Sequence, residues 1–299
     1  MNLSHSAACH LTGILLLWLL PSIGLPAAVK VTDDTGTRVS LSQPADRIIS
    51  LAPHITELLF AAGAADAIVA VAEFSDYPAA AALLPRIGGG SGIDLEAVIA
   101  LQPDLVIAWG SGNPAGQVAR LRQLGIPVFV SEPRVLADIP ASLRRFGQLA
   151  GTELAANAAA DRFNLRHRQL LQRNSGKSTV SVFYQIWDRP LMTVNDAHLI
   201  SDVIRLCGGS NVFADLSGLA SPVGLEAVLQ RDPQVIIAGS DSTDAADLMA
   251  YWQRWPEMAA VRQGYVYSIP RELLVRHTPR ILAGAERLCG LLDSVRQER

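Results

Sequence analysis

Leu95-Glu96-Ala97-Val98-Ile99-Ala100-Leu101-Gln102-Pro103-Asp104-Leu105-Val106-Ile107-Ala108 returns later in the chain as Leu225-Glu226-Ala227-Val228-Leu229-Gln230-Arg231-Asp232-Pro233-Gln234-Val235-Ile236-Ile237-Ala238. In both copies a glutamate stands in the first turn of a short helical stretch, where the helix dipole favours a negative charge. A proline then ends the helix and sets a turn. The apolar run that follows does not alternate with polar residues, so it predicts a strand buried on both faces, as in a parallel sheet. Each run ends in glycine and serine, at Gly110-Ser111 and Gly239-Ser240. Helix then strand, twice over, predicts two related α/β lobes.

Other segments extend the pattern. Arg47 to Leu51 reads as a strand that leads through Pro53 into a helix from Ile55 to Ala62, stopped by Gly63. Ile68 to Val71 and Val128 to Val130 read as further first-lobe strands. Val180 to Ile186 opens the second lobe, followed by a helix from Leu199 to Leu206, a strand from Tyr265 to Ile269 and a last helix from Arg280 to Leu292. Thr152 to Arg173 has no proline or glycine and is rich in helix formers, so it predicts one long helix between the lobes. The expected organisation is an export signal over 1–28, a first lobe over 29–137, a connecting helical segment over 138–176 and a second lobe over 177–299.

With 299 residues the chain is long enough for two cores. A net charge of −3 supplies no basic field for nucleic acid. Residues 1 to 28 contain no Lys, Arg, Asp or Glu, and Gly13 to Leu20 is an apolar run followed by Pro21, Gly24, Pro26, Ala27 and Ala28. That is the apolar centre and small-residue end of a secretory signal, too short to span a bilayer, although the usual basic leading segment is missing. An N-terminal membrane anchor is the other reading. Cys9 precedes the run, which leaves Cys207 and Cys289 in the exported part. Two cysteines after export suit a disulfide or two buried thiols.

The chain carries no Gly-x-Ser-x-Gly elbow and no P-loop. The glycine-rich run Gly88 to Gly92 lacks dinucleotide spacing and reads as a turn. His54 with Glu57, and His198 with Ser201, fall short of a zinc motif. His54 reads as a helix-cap or cleft residue. No catalytic or metal-binding residue is nominated, and no enzyme activity is expected. Ligands of open α/β sheets sit beyond the carboxyl ends of the strands. Trp109, Tyr184 and Trp187 lie at or near such ends, and Tyr77 follows the strand at Ile68. These aromatics suit a large, flat, partly apolar ligand, with Glu272 and Arg276 as polar contacts.

Several of these pieces together resemble the helical-backbone class (class III) of ABC-importer substrate-binding proteins. They are Arg47-Ile48-Ile49-Ser50-Leu51-Ala52-Pro53 with Thr56-Glu57-Leu58, Gln102-Pro103-Asp104-Leu105-Val106-Ile107-Ala108-Trp109, Cys207-Gly208-Gly209 with Asn211-Val212-Phe213, and Pro279-Arg280-Ile281. Ser75-Asp76-Tyr77-Pro78, Trp109 with Asn113, and the spaced cysteines are similar more narrowly to the cobalamin-binding branch. The resemblance runs from about Val31 to Leu292. It implies two Rossmann-like lobes joined by a long rigid helix, and a corrinoid held between them as transported ligand rather than cofactor. It implies contacts from Tyr77 and Trp109, with Glu272 and Arg276 lining the cleft. It also implies a Cys207–Cys289 disulfide, a periplasmic location, and docking of Glu96 and Glu226 on the permease dimer of an ABC importer. Tryptophans of the branch are replaced near Gly90 and Ala220, and a second-lobe aromatic becomes Ile186 with Trp187 beside it. The alternative cargo is a ferric siderophore or haem, and the alternative class is a secreted metal-dependent hydrolase.

Overall fold

The computed structural model describes residues 28–89, 92–240 and 245–298. The signal expected over 1–28 lies, but for Ala28, outside them, as do Gly90 and Ser91 of the glycine-rich turn. In the first lobe four parallel strands lie in the spatial order Ile68–Val71, Ile48–Ser50, Leu105–Trp109, Val128–Ser131. The second lobe has Gly209–Asn211, Val180–Gln185, Val235–Ser240, Val266–Pro270, again all parallel. In chain order both sheets therefore read second, first, third, fourth. The order reverses between the first and third strands, and there a doubly wound sheet leaves a crevice at its carboxyl edge.

The repeat accounts for the matching halves. Leu95–Ala100 and Leu225–Arg231 are the two short helices. Asp94 accepts a hydrogen bond from the Ala97 N–H and so caps the first, whereas Gly224 leads into the second without a side-chain cap. Each proline stops its helix, and Leu105, Val106, Ile107 and Ala108 are then fully buried, as a central parallel strand requires. Two antiparallel pieces are among those with no counterpart in the sequence reading. One is an antiparallel hairpin of Val29–Thr32 with Arg38–Leu41. The other is a small antiparallel sheet of Trp187–Asp188, Leu191–Val194 and Ala220–Pro222 on the second lobe. Their strands have two to four residues, too few for alternation to register.

The long helix is Glu153–Asn174. Its 22 residues reach about 33 Å at 1.5 Å per residue. Ala156, Ala160, Phe163, Leu170 and Asn174 lie on its buried stripe, four, three, seven and four residues apart. The helix touches Pro53–Ala61 and Asp138–Ala150 of the first lobe, and Leu199–Leu206 and Ile281–Gln297 of the second. Close approach is possible because the contact residues are small: a Cβ on Gly147 would lie 2.3 Å from the Ala156 Cβ. Asp138–Ala150, expected within the connecting segment, packs instead against the hairpin and the helix Pro53–Ala61, with Phe146 edge-on to Phe129. Among the described residues only Glu153–Asn174 reaches both lobes at length. Among the described residues no helix is long and apolar enough to cross a membrane.

Cys207, at the end of Leu199–Leu206, is bonded to Cys289 within Ile281–Gln297, across 82 residues of sequence. Both sulfurs sit in the second-lobe core, with Cys207 wholly buried. On the chain-entropy account, closing a loop of that length stabilises the lobe by about 4 kcal/mol. Reduction, or Cys289→Ser, is therefore expected to lower the thermal midpoint by several degrees; a midpoint that does not respond to reductant would contradict this.

Candidate ligand cleft

In the first lobe the chain turns from the strand Ile48–Ser50 into Pro53–Ala61, and Leu105–Trp109 ends beside that turn. Asn113 fastens the two together. Its Oδ1 accepts the Trp109 N–H at 2.7 Å and its Nδ2 donates to the Leu51 carbonyl at 2.9 Å. Gly112 gives the indole its place, since a Cβ there would sit 1.8 Å from the Trp109 ring. Asn113 therefore acts by positioning Trp109 at the first-lobe crevice. Tyr77 is 46% exposed. The Arg280 guanidinium from the second lobe lies 3.9 Å from its ring centroid.

Across the lobes, Glu57 is the shared acceptor. Arg276 donates to it at 2.9 Å, and Arg280 donates through two nitrogens at 2.9 and 2.7 Å. The Glu57 side chain is only 3% exposed. Arg276 also bonds Asp76 and the Phe74 carbonyl, and its hydrogen bond holds the Asp76 carboxyl below its ordinary value. Phe74 stands 80% exposed, in the left-handed backbone region at φ 62°.

Next to this bridge, Trp109 and His54 from the first lobe meet His277 from the second. His54 is 5.2 Å from Trp109 and 5.4 Å from His277, and His198 lies 5.8 Å from His277, centroid to centroid. His198 caps Leu199–Leu206, its Nδ1 accepting from Ile200. His54 caps nothing, because Ala52 holds the cap position of its helix; it is a residue of the interlobe contact. His54 Nε2, His277 Nδ1 and Trp109 Nε1 are buried without a hydrogen-bond partner. Among the described residues, no group of three or more metal-binding side chains is arranged around an ion.

The other expected residues are divided. Trp187 is 48% exposed, with its ring fixed by an Nε1–H bond to the Arg189 carbonyl. Glu272 starts a short helix beside Arg276 and is partly exposed. Tyr184 does not line the cleft. It is fully buried, burial pushes its phenol upward, and a Cβ on Gly239 would come within 2.8 Å of its hydroxyl. Strand alternation puts the Tyr184 ring into the core, while the next residues emerge at the edge. Glu57, Arg280 and His277 carry no cleft role in the sequence reading, and His54 only a helix-cap or cleft one. Thr56-Glu57-Leu58 and Pro279-Arg280-Ile281 were both singled out as motifs, yet nothing in one chain's order says they pair. Glu96 and Glu226 are exposed, one on each lobe, and neither is in an ion pair among the described residues.

The ring cluster has a consequence for acid stability. Burial lowers His54 to about 3, with Arg276 adding to it. Burial lowers His198 to about 4. Burial, then the neighbouring His54 and His198, hold His277 well below its ordinary value. These rings stay neutral when folded, whereas the unfolded chain protonates them below about 6.5. Between there and about pH 4 the unfolded state binds more protons, so stability is full above about 6.5 and falls as the pH drops, by at most about 1.4 kcal/mol per unit for each ring. Denaturant unfolding at about pH 7.5 and about pH 5 should show this loss, and His277→Gln should reduce the pH slope. Equal stability at the two values would refute the account.

A profile of the periplasmic binding protein family matches residues 48–273. A vitamin B12-binding protein of Vibrio parahaemolyticus is 36% identical over 258 residues, 86% of this chain and 93% of that protein. One from Yersinia pestis is 35% identical over 254 residues, 85% of this chain and 89% of that one. The crystal structure of the periplasmic vitamin B12-binding protein of Vibrio cholerae superposes with a TM-score of 0.80 at 36% identity, over 86% of this chain and 99% of that one. A periplasmic haem-binding protein of Roseiflexus shares the fold, with a TM-score of 0.73 at 22% identity, over 84% and 99%. With two lobes of one topology and a long helix packed against both, the chain belongs to the periplasmic binding protein family.

Proposed function

We propose that the protein captures cobalamin or a related corrinoid, one molecule per chain, between its lobes in the periplasm, and delivers it to the permease dimer of an ABC importer. The observation that carries the reading is the way Trp109 is held. Asn113 and Gly112 serve to set one indole at the first-lobe crevice, facing the second lobe, with Tyr77 and Arg280 at the neighbouring wall. A planar, largely apolar macrocycle edged with amides suits an aromatic wall with a few polar groups. Trp187, Glu272 and Arg276 complete the expected contacts, and Phe74 adds an exposed ring beside Tyr77. The relatives named for vitamin B12 binding favour corrinoid over siderophore or haem. No group of the chain takes a chemical step in this role; it binds and releases.

The docking proposal rests on the repeat. Glu96 and Glu226 hold equivalent positions in the two lobes, both exposed at the starts of short helices. Two equivalent carboxylates suit two equivalent permease subunits that offer cations.

Trp109→Ala should weaken cyanocobalamin binding by about 1 to 3 kcal/mol in calorimetry. Gly112→Ala should weaken it too, with little loss of stability, because the added methyl displaces the indole. Absence of heat at saturating cyanocobalamin, with binding of haem or a ferric chelate instead, would transfer the assignment to that ligand. The double variant Glu96→Arg/Glu226→Arg should bind corrinoid normally yet fail to support uptake, since like charges would then face the permease. Normal uptake by that variant would rule out docking through these residues.

A further inference from the structure

A cavity of about 920 Å³ opens at the crevice of the second lobe, where Val180–Gln185 and Val235–Ser240 end. Gln185, Trp187, Gly239, Tyr251, Arg254 and Arg271 are among its walls. Two arginines there lie over aromatic rings. The Arg271 guanidinium lies 4.9 Å from the Trp187 centroid, and that of Arg254 lies 4.5 Å from Tyr251 and 4.7 Å from Trp255. Arg254 uses its Nε to bond the Tyr251 carbonyl. Arg271 Nε is buried with no acceptor, and Arg271 is in no ion pair among the described residues. Two carboxylates also line the cavity. Asp188 is taken by Arg189 at 3.1 Å, and Asp247 is exposed.

A guanidinium set against a wall with a buried, unpartnered N–H is poised for an acceptor from outside the chain, and a charged acceptor satisfies it best. We infer that Arg271, with Arg254 beside it, forms a subsite for the phosphodiester of the nucleotide tail of a complete corrinoid. This rests on the corrinoid reading above. The corrin periphery carries neutral amides, and the phosphodiester is the pendant anion of the complete vitamin. The place is consistent: Arg271 is adjacent in sequence to Glu272, five residues before Arg276, and at the carboxyl edge that faces the first lobe. A macrocycle against Trp109 can then extend its tail toward the second-lobe crevice.

The test compares cyanocobalamin with cobinamide, which has the corrin ring but neither phosphodiester nor base, in calorimetric titrations of the intact protein. The wild type should bind cyanocobalamin more tightly than cobinamide by about tenfold to a hundredfold, the scale of hydrogen bonds to a charged group. Arg271→Gln should remove most of that difference by weakening cyanocobalamin alone. Arg271→Lys, which keeps the charge and loses the fork, should fall between them, and it serves if the glutamine variant does not fold. Equal affinity of the wild type for both ligands, or an equal loss for both in the variants, would overturn the subsite while leaving corrinoid capture standing. Binding of neither ligand by the wild type would sink the corrinoid reading, and this inference with it.

Discussion

Glu57 accepts three hydrogen bonds from two arginines of the opposite lobe while only 3% of its side chain meets solvent. A carboxylate so enclosed needs these cations; removing both would leave a buried, unpaired charge, a loss of about 3 to 5 kcal/mol. The bridge also fixes where the cleft floor lies. It brings Arg280 over Tyr77 and the adjoining His277 against His54 and Trp109. The residues proposed to meet a ligand therefore keep their relative positions through an ionic cluster that joins the two lobes.

The connecting helix supplies the complementary constraint. Glu153–Asn174 is one continuous rod with contacts in both lobes, reinforced at its second-lobe side by the ion pair of Arg166 with Glu286. A rod has no hinge dihedrals to absorb a wide rotation, so motion between lobes must come from small shifts at its packed ends. Rings in contact across the cleft can part by such shifts without the helix breaking. Capture by a modest opening, rather than by a large closure, follows from this build.

The fold was legible because its strands are buried on both faces and its helices end at proline or glycine. Ile68–Val71 and Leu199–Leu206 coincide with their expected limits, and the long helix starts one residue later than expected. The cleft was legible only in part. Trp109, Tyr77 and Trp187 could be proposed because aromatics at strand ends are visible in one dimension, and Tyr77 and Trp187 are indeed exposed. Tyr184 was misplaced because a strand's last turn out of the core cannot be located to the residue by composition: Tyr184 points in and Trp187, three residues on, points out. Glu57 with Arg280, and His54 with His277, were invisible as pairs. Their partners are more than 200 residues apart, and only the assembled lobes join them.

That limit has a physical counterpart in the protein. Residues that read clearly from the sequence act within one lobe: the repeat, the buried strands, the loop that seats Trp109. Residues that did not are those whose free energy exists only when the lobes meet. Glu57 without Arg276 and Arg280 would be a buried, unpaired charge, and His54 without His277 would lose a face of its burial. Neither lobe by itself justifies these side chains, so their presence marks the lobe–lobe contact as a selected part of the molecule. It is also the contact that a ligand entering between Trp109 and the second lobe must disturb.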